Sequence, residues 1–285
     1  MASIDPTRQH RTRRQEQIRQ RRLVAALGVA VLVLILTLIL ALACGKNDKA
    51  TAKHDTGGPL GKRSESPLST PSPIPTALRT PTKADPLRLA GYGESVGDCT
   101  VFGLYIKCQT EKKIRFHYFT KPSTGLTRPE FFDWPRFLRK DLGQGKYEAV
   151  MFMVGANDAQ DIKLNGQKLV FGTKPWNEMY APRVGAVMDL FLDRGAKRVY
   201  WVGMPRMGLS GFGPRMAKLN EIYKSEAAKR APFVEYIDAW TLLDAPATTY
   251  QANLRQADGV HLNDAGALKS GGFVLKQIKK DWHIR

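Results

Sequence analysis

The feature that most limits what this chain can become is an uncharged, almost wholly apolar run of 21 residues, Leu23 to Ala43, near the start of a 285-residue sequence. About 20 such residues in a helix span a bilayer. The run exceeds the roughly 7–15 residues of a signal-peptide core, so an uncleaved anchor is expected at 23–43. Residues 1–22 carry seven arginines against Asp5 and Glu16, a net charge of +5. Basic flanks stay on the cytoplasmic side. The N-terminus is therefore expected in the cytoplasm, and everything after residue 43 outside it.

A rival feature is Ala41-Leu42-Ala43-Cys44, which resembles a lipoprotein cleavage box but lacks leucine three residues before the cysteine. Residues 44–86 follow, rich in Pro, Ser, Thr and Lys and with no apolar period. Such a stretch cannot bury enough surface to fold, and is expected to be a disordered tether. The catalytic domain is then 87–285, long enough for one sizeable core. Of the formal charge of +18, the tail carries +5 and the tether +3, leaving +10 on the domain. A basic domain outside the cytoplasm suits an anionic lipid surface or an acidic polymer. Nucleic acid is not an expected partner there.

Within the domain, strand and helix patterns alternate. Strands are expected at 87–92, 112–119, 148–154, 198–203 and 233–237, and helices near 134–142, 177–194, 213–230 and 264–280. In the second helix Tyr180, Val184, Val187, Met188 and Phe191 recur at helical spacing and read as core. The alternation predicts an α/β fold, a parallel sheet with helices on both faces. Ligands in such sheets bind beyond the carboxyl ends of the strands.

Three motifs fall there, in order: Gly93-Glu94-Ser95-Val96, Gly155-Ala156-Asn157-Asp158 and Asp258-Gly259-Val260-His261. A serine hydroxyl needs a base to become a nucleophile. His261 is the candidate base, and Asp258 is close enough in sequence to orient its ring. Acyl transfer also needs donors for the developing oxyanion. The Ser95 N–H, the Asn157 side-chain amide and the N–H of Gly125, in the loop after the second strand, are the candidates. Taken singly, each motif is more often a turn or a cap.

The set in this order resembles the SGNH (GDSL-type) hydrolase superfamily. Ser95 matches its block I serine, Gly125 the block II glycine, Asn157 the block III asparagine, and Asp258 with His261 the block V pair. Residues 123–134, 154–161, 200–205 and 258–267 look like a bacterial envelope-associated subgroup, and the similarity covers 87–285. The resemblance implies a flavodoxin-like three-layer fold, no metal or other cofactor, and ester hydrolysis or acyl transfer. Envelope members often act on O-acyl groups of carbohydrate polymers. The expected protein is therefore a single-pass bacterial inner-membrane serine esterase with a periplasmic catalytic domain. It would remove O-acetyl or other short acyl groups from an envelope glycan. The same triad would serve an acyltransferase working with polysaccharide machinery, and a degenerate domain would only bind polymer.

One residue departs from the family pattern: Glu94 stands where an aspartate usually precedes the serine. Gly93 to Gly97 also fits the Gly-X-Ser-X-Gly elbow of α/β-hydrolases. The close spacing of Asp258 and His261 argues against that fold. Arg128 is a candidate for holding a substrate carboxylate or carbonyl, against a simple pairing with Glu130. Gln160 and Asp161 either line the mouth or cap a loop. Trp134, Trp176 and Trp201 suit sugar stacking but more often pack in cores. Cys99 and Cys108 lie too far apart for a disulfide if one unbroken helix carries both, about 13 Å. A bond there requires a break, with Gly103 the candidate. His10, His54, His117 and His283 show no partner in sequence, and no Cys/His cluster has metal spacing.

Overall fold

The computed structural model describes residues 77–285. The basic tail, the expected spanning helix, Cys44 and the tether up to residue 76 lie outside the described residues. Among the described residues, no helix is long and apolar enough to cross a membrane.

In chain order the elements are β1 (Leu87–Gly93), α1 (Ser95–Cys108), β2 (Ile114–Thr120), α2 (Trp134–Asp141), β3 (Ala149–Met153), β4 (Ile162–Leu164), β5 (Gln167–Leu169), α3 (Lys174–Asp193), β6 (Arg198–Val202), α4 (Phe212–Ala228), β7 (Val234–Ile237), α5 (Ala239–Leu242) and α6 (Asp264–Asp281). Five of the strands form a parallel sheet in the order β2-β1-β3-β6-β7, while β4 and β5 make a separate antiparallel hairpin. The expected α/β class and parallel sheet are present. The central strand β3, Ala-Val-Met-Phe-Met, is buried at every position. A strand covered on both faces reads as a continuous apolar run.

Side chains alternate between the faces. Tyr92, Phe152 and Trp201 are cross-strand neighbours in register. They pack against Phe137 of α2, Phe191 of α3 and Tyr223 of α4. The opposite face meets α1 and α6: Gly91 lies beside Val101, and the Tyr200 hydroxyl donates to Asp281 at 3.0 Å. Trp134, Trp176 and Trp201 are all fully buried. They are core residues and present no face to a sugar.

The most consequential helix was the least visible in sequence. α1 runs unbroken from Ser95 to Cys108, and both of its cysteines are free. The conditional disulfide is thereby excluded, since the helix holds the two sulfurs apart. Gly103 does not break the helix. A Cβ there would overlap the Ala267 carbonyl, and one at Gly271 would overlap the backbone of Gly103 and Leu104. Glycine lets α1 and α6 touch backbone to backbone, and the buried Ser270 hydroxyl donates to Thr100 across the contact at 3.0 Å.

The tether also ends earlier than expected. Arg79 grips the Glu148 carboxylate through two nitrogens, each at 2.7 Å, while Pro81 is buried and Leu78 packs against the core. A bidentate charged pair fixes geometry, so the last ten residues assigned to the tether, 77–86, belong to the domain.

Candidate active site

The strand order reverses between β1 and β3, as in flavodoxin-like sheets, and ligands bind at such a switch point. Ser95 follows β1 and Asn157 follows β3. Ser95 is the first residue of α1, with Glu94 as its N-cap. The peptide N–H groups of a helix's first turn have no partner inside the helix and carry its positive end. A nucleophile placed there stands beside ready-made anion donors.

Asn157 sits in a short 3-10 turn, Ala156–Asp158. Its amide donates to the Thr124 carbonyl at 3.0 Å and to Glu94 at 3.3 Å. Thr124 is itself held, accepting from the Trp134 indole at 3.0 Å and donating to Lys121 at 2.6 Å. Gly125 is therefore one residue from the Asn157 amide. A Cβ on Gly125 would collide with the Asp158 carboxylate, which is the physical reason for glycine at this position.

Asp158 is the residue that sequence reasoning missed. It is fully buried, and it accepts from the N–H groups of Leu126 (2.9 Å) and Thr127 (2.8 Å), the Thr127 hydroxyl (2.7 Å) and Tyr180 (2.7 Å). Burial raises its carboxyl, against the pull of these donors. The Tyr180 hydroxyl shares a hydrogen bond with Tyr223, which donates to the Val154 carbonyl. This network clamps the Gly125 loop to the Asn157 turn. Its only sequence trace was the Asp beside Asn157, since its partners lie 22 to 32 positions away.

Asp258 and His261 form a compact unit. Asp258 Oδ2 lies 2.6 Å from His261 Nδ1, and Oδ1 accepts the N–H groups of Val260 and His261. The bond to the imidazole, helped by those amides, pulls the Asp258 carboxyl down to about 2. The turn is closed by Gln256 N–H donating to the His261 carbonyl, and it is tied to the loop after β6 by Gly208 N–H donating to Gly259. Arg255 anchors its base, donating to the Arg206 carbonyl at 2.9 Å and pairing with buried Asp244. The Leu262 amide lies against the Cys99 sulfur, one helical turn from Ser95. Packing of α1 on α6 thus brings the His261 turn to the Ser95 end of α1. In this arrangement the Ser95 hydroxyl donates to Glu94 at 3.0 Å and the His261 ring bonds to Asp258.

The remaining candidates divide. Arg128 donates to the Ser123 carbonyl at 2.9 Å and lies over Phe131, so it braces the Gly125 loop rather than pairing with Glu130. Gln160 bonds to the Asn157 carbonyl and accepts from Trp176. Asp161 accepts from Phe171 N–H and pairs with Lys168, closing the β4–β5 hairpin. Among the described residues no group of His, Cys, Asp and Glu side chains is placed to hold a metal ion.

A family model described as a protein of unknown function (DUF459) matches residues 88–277. The chain belongs to that family. No curated protein matches it. Among solved structures, it is similar to the lipase/acylhydrolase from Enterococcus faecalis, at 16% identity and a TM-score of 0.51, covering 68% of this chain and 96% of that one. An acetyl-xylooligosaccharide esterase from Geobacillus stearothermophilus gives 16% and 0.51, with 69% and 95% covered. A GDSL-like lipase from Bacteroides thetaiotaomicron gives 12% and 0.51, with 71% and 92% covered. At these identities the likeness is one of fold. The SGNH-type resemblance drawn from the motifs is borne out at that level.

Proposed function

We propose that the chain is a serine esterase. Ser95 attacks an ester carbonyl, His261 takes its proton, and Asp258 holds the imidazole in the tautomer and orientation that accept it. The tetrahedral oxyanion is met by the N–H groups of Ser95 and Gly125 and by the Asn157 amide. Collapse expels the alcohol, which receives the proton from His261. A water activated by the same base then releases the acid from the acyl-enzyme.

The observation that carries this reading is the 2.6 Å Asp258–His261 pair in the turn before α6, the helix that packs on the helix beginning with Ser95. The solved structures of similar fold include an esterase acting on acetylated xylooligosaccharide, which supports a short acyl group on a glycan as the substrate. Arg128, beside the Gly125 loop, is proposed to contact that substrate. Together with the apolar run and the arginines before it, this makes the expected setting the outer face of a bacterial inner membrane, with acylated envelope glycan as partner.

The test is turnover of p-nitrophenyl acetate and of an acetylated glycan by the detergent-solubilised chain and by Ser95→Ala. Loss of both activities on substitution supports the triad. Equal rates leave only a polymer-binding domain. Acetate diverted from water to an added acceptor glycan identifies a transferase.

A further inference from the structure

Outside the triad, one buried group touches two of the reacting side chains. Glu94 is fully buried. Its Oε2 accepts the Ser95 hydroxyl at 3.0 Å, the Val96 N–H at 3.0 Å and the Asn157 amide at 3.3 Å. Oε1 is buried with no hydrogen bond of ordinary geometry. Capping α1 needs only the Val96 bond. The other two bonds hold groups that the reaction requires elsewhere. The serine proton has to pass to His261, and the Asn157 N–H has to face the oxyanion.

We propose that Glu94 is a positioning residue that restrains the Ser95 hydroxyl and the Asn157 amide through one carboxylate oxygen, and that reaction at Ser95 requires it to release both. The proposal rests on the reading of Ser95 as the nucleophile. A carboxylate holds its donors roughly twice as strongly as a neutral group does. A proton placed on Oε1 breaks no hydrogen bond of ordinary geometry and leaves Oε2 a carbonyl acceptor. Protonated Glu94 therefore grips less firmly than ionised Glu94.

Burial is the largest influence on this carboxyl and pushes it up to about 7, against the downward pull of the Val96 and Ala156 amides and the Ser95 hydroxyl. Both forms are then populated near neutral pH. The titratable groups that face it are Cys99 from α1, Asp158 from the turn after β3 and Tyr223 from α4. Asp158 as an anion adds to the upward push, while burial raises the Cys99 thiol and the Tyr223 phenol and so keeps both neutral. The His261 ring bonds to Asp258 and makes no bond to Glu94. An aspartate in place of Glu94 is shorter by one methylene. It keeps the cap on Val96 and loses its reach to Asn157.

The experiment measures the rate at which a fluorophosphonate labels Ser95 in the full chain, across a pH series, for the wild type, Glu94→Gln and Glu94→Asp. Labelling forms a Ser95 Oγ–P bond, breaks the P–F bond and passes the serine proton to His261, so it reads the nucleophile without choosing a substrate. Glutamine mimics the neutral acid at every pH. Above the Glu94 pKa, Glu94→Gln is expected to label about fivefold faster than wild type, the margin of a charge-assisted over a neutral hydrogen bond. The gap closes on the acid side, where the wild-type carboxyl is protonated. Should the glutamine variant fail to fold by circular dichroism, Glu94→Asp is expected to label faster than wild type as well. Parallel pH profiles at equal rates overturn the restraint. Slower labelling of Glu94→Gln at every pH also overturns it and makes Glu94 an assistant to the base. Absence of labelling in every folded variant removes Ser95 as the nucleophile, and the restraint with it.

Discussion

Asp258 is nearly half exposed, yet its hydrogen bond to the imidazole of His261 holds its carboxyl at about 2. It stays ionised at every pH where the site is expected to work, so acid inhibition of the esterase does not arise from its titration. Its contribution is orientation. Asp258→Asn is expected to lower kcat on p-nitrophenyl acetate by about 10²–10⁴, with KM little changed because the carboxylate does not contact substrate. An unchanged kcat would remove Asp258 from the triad. Asn157→Ala removes one oxyanion donor and is expected to cost about 10²–10³ in kcat; a loss confined to KM would assign the amide to ground-state binding. These residues were legible in the sequence because each sits in a short local motif. Asp158 was not, because its meaning depends on Leu126, Thr127 and Tyr180, which only the folded chain brings to it.

Between elements, the decisive contact is that of α1 with α6. The expected strands match the observed ones to within about two residues, since buried parallel strands read as apolar runs. α1 escaped because it lacks the one-sided pattern that marks a surface helix: Val96, Val101 and Leu104 are buried, while Phe102 and Ile106 are exposed. What fixes it is shape, glycine against backbone at Gly103 and Gly271. Gly103→Leu is therefore expected to destabilise the domain by about 1–3 kcal/mol. It should also lower esterase activity at temperatures where circular dichroism still shows the fold, because α6 carries the His261 turn. A variant of native stability would show that the helices separate at no cost. Arg255 acts on the same turn from the other side. Its side chain is wholly buried against Asp244, so Arg255→Met leaves that buried carboxylate with Arg206, at 3.4 Å, as its one remaining cation among the described residues. The expected cost is about 1–3 kcal/mol by urea denaturation, short of the loss for a buried charge stripped of every partner. A loss under about 1 kcal/mol would mean that Arg206 alone balances the Asp244 charge.

Across the whole molecule, carboxyl groups pull stability in two directions with pH. Asp258, Glu111 and Glu148 sit below their ordinary values in the folded state, Glu111 and Glu148 because the Lys279 and Arg79 bonds with their neighbours outweigh burial. Such groups release protons on folding, so the stability they confer is present above the unfolded pKa and is lost as pH falls through the folded one. Glu94 and Glu235 behave oppositely. Burial raises each to about 7 from an ordinary 4.5, and for Glu235 the neighbouring Asp281 carboxylate adds to the rise. The folded state holds their protons more tightly than the unfolded chain does. Their contribution is therefore complete below 4.5 and drains away as pH climbs to about 7. From these two sets the stability maximum is expected on the mildly acid side, with decline on both flanks. Glu235 is the group on which to check this, because it lies at the sheet edge, away from Ser95. Glu235→Gln removes one such loss without touching the esterase site. Urea midpoints measured between about pH 5 and about pH 8 should fall less steeply in Glu235→Gln than in wild type, and p-nitrophenyl acetate turnover should be the same in both. Parallel slopes would mean that Glu235 ionises beside Asp281 as readily in the folded chain as in the unfolded one, and that Gln277 and Arg198 relieve the charge on the edge strand.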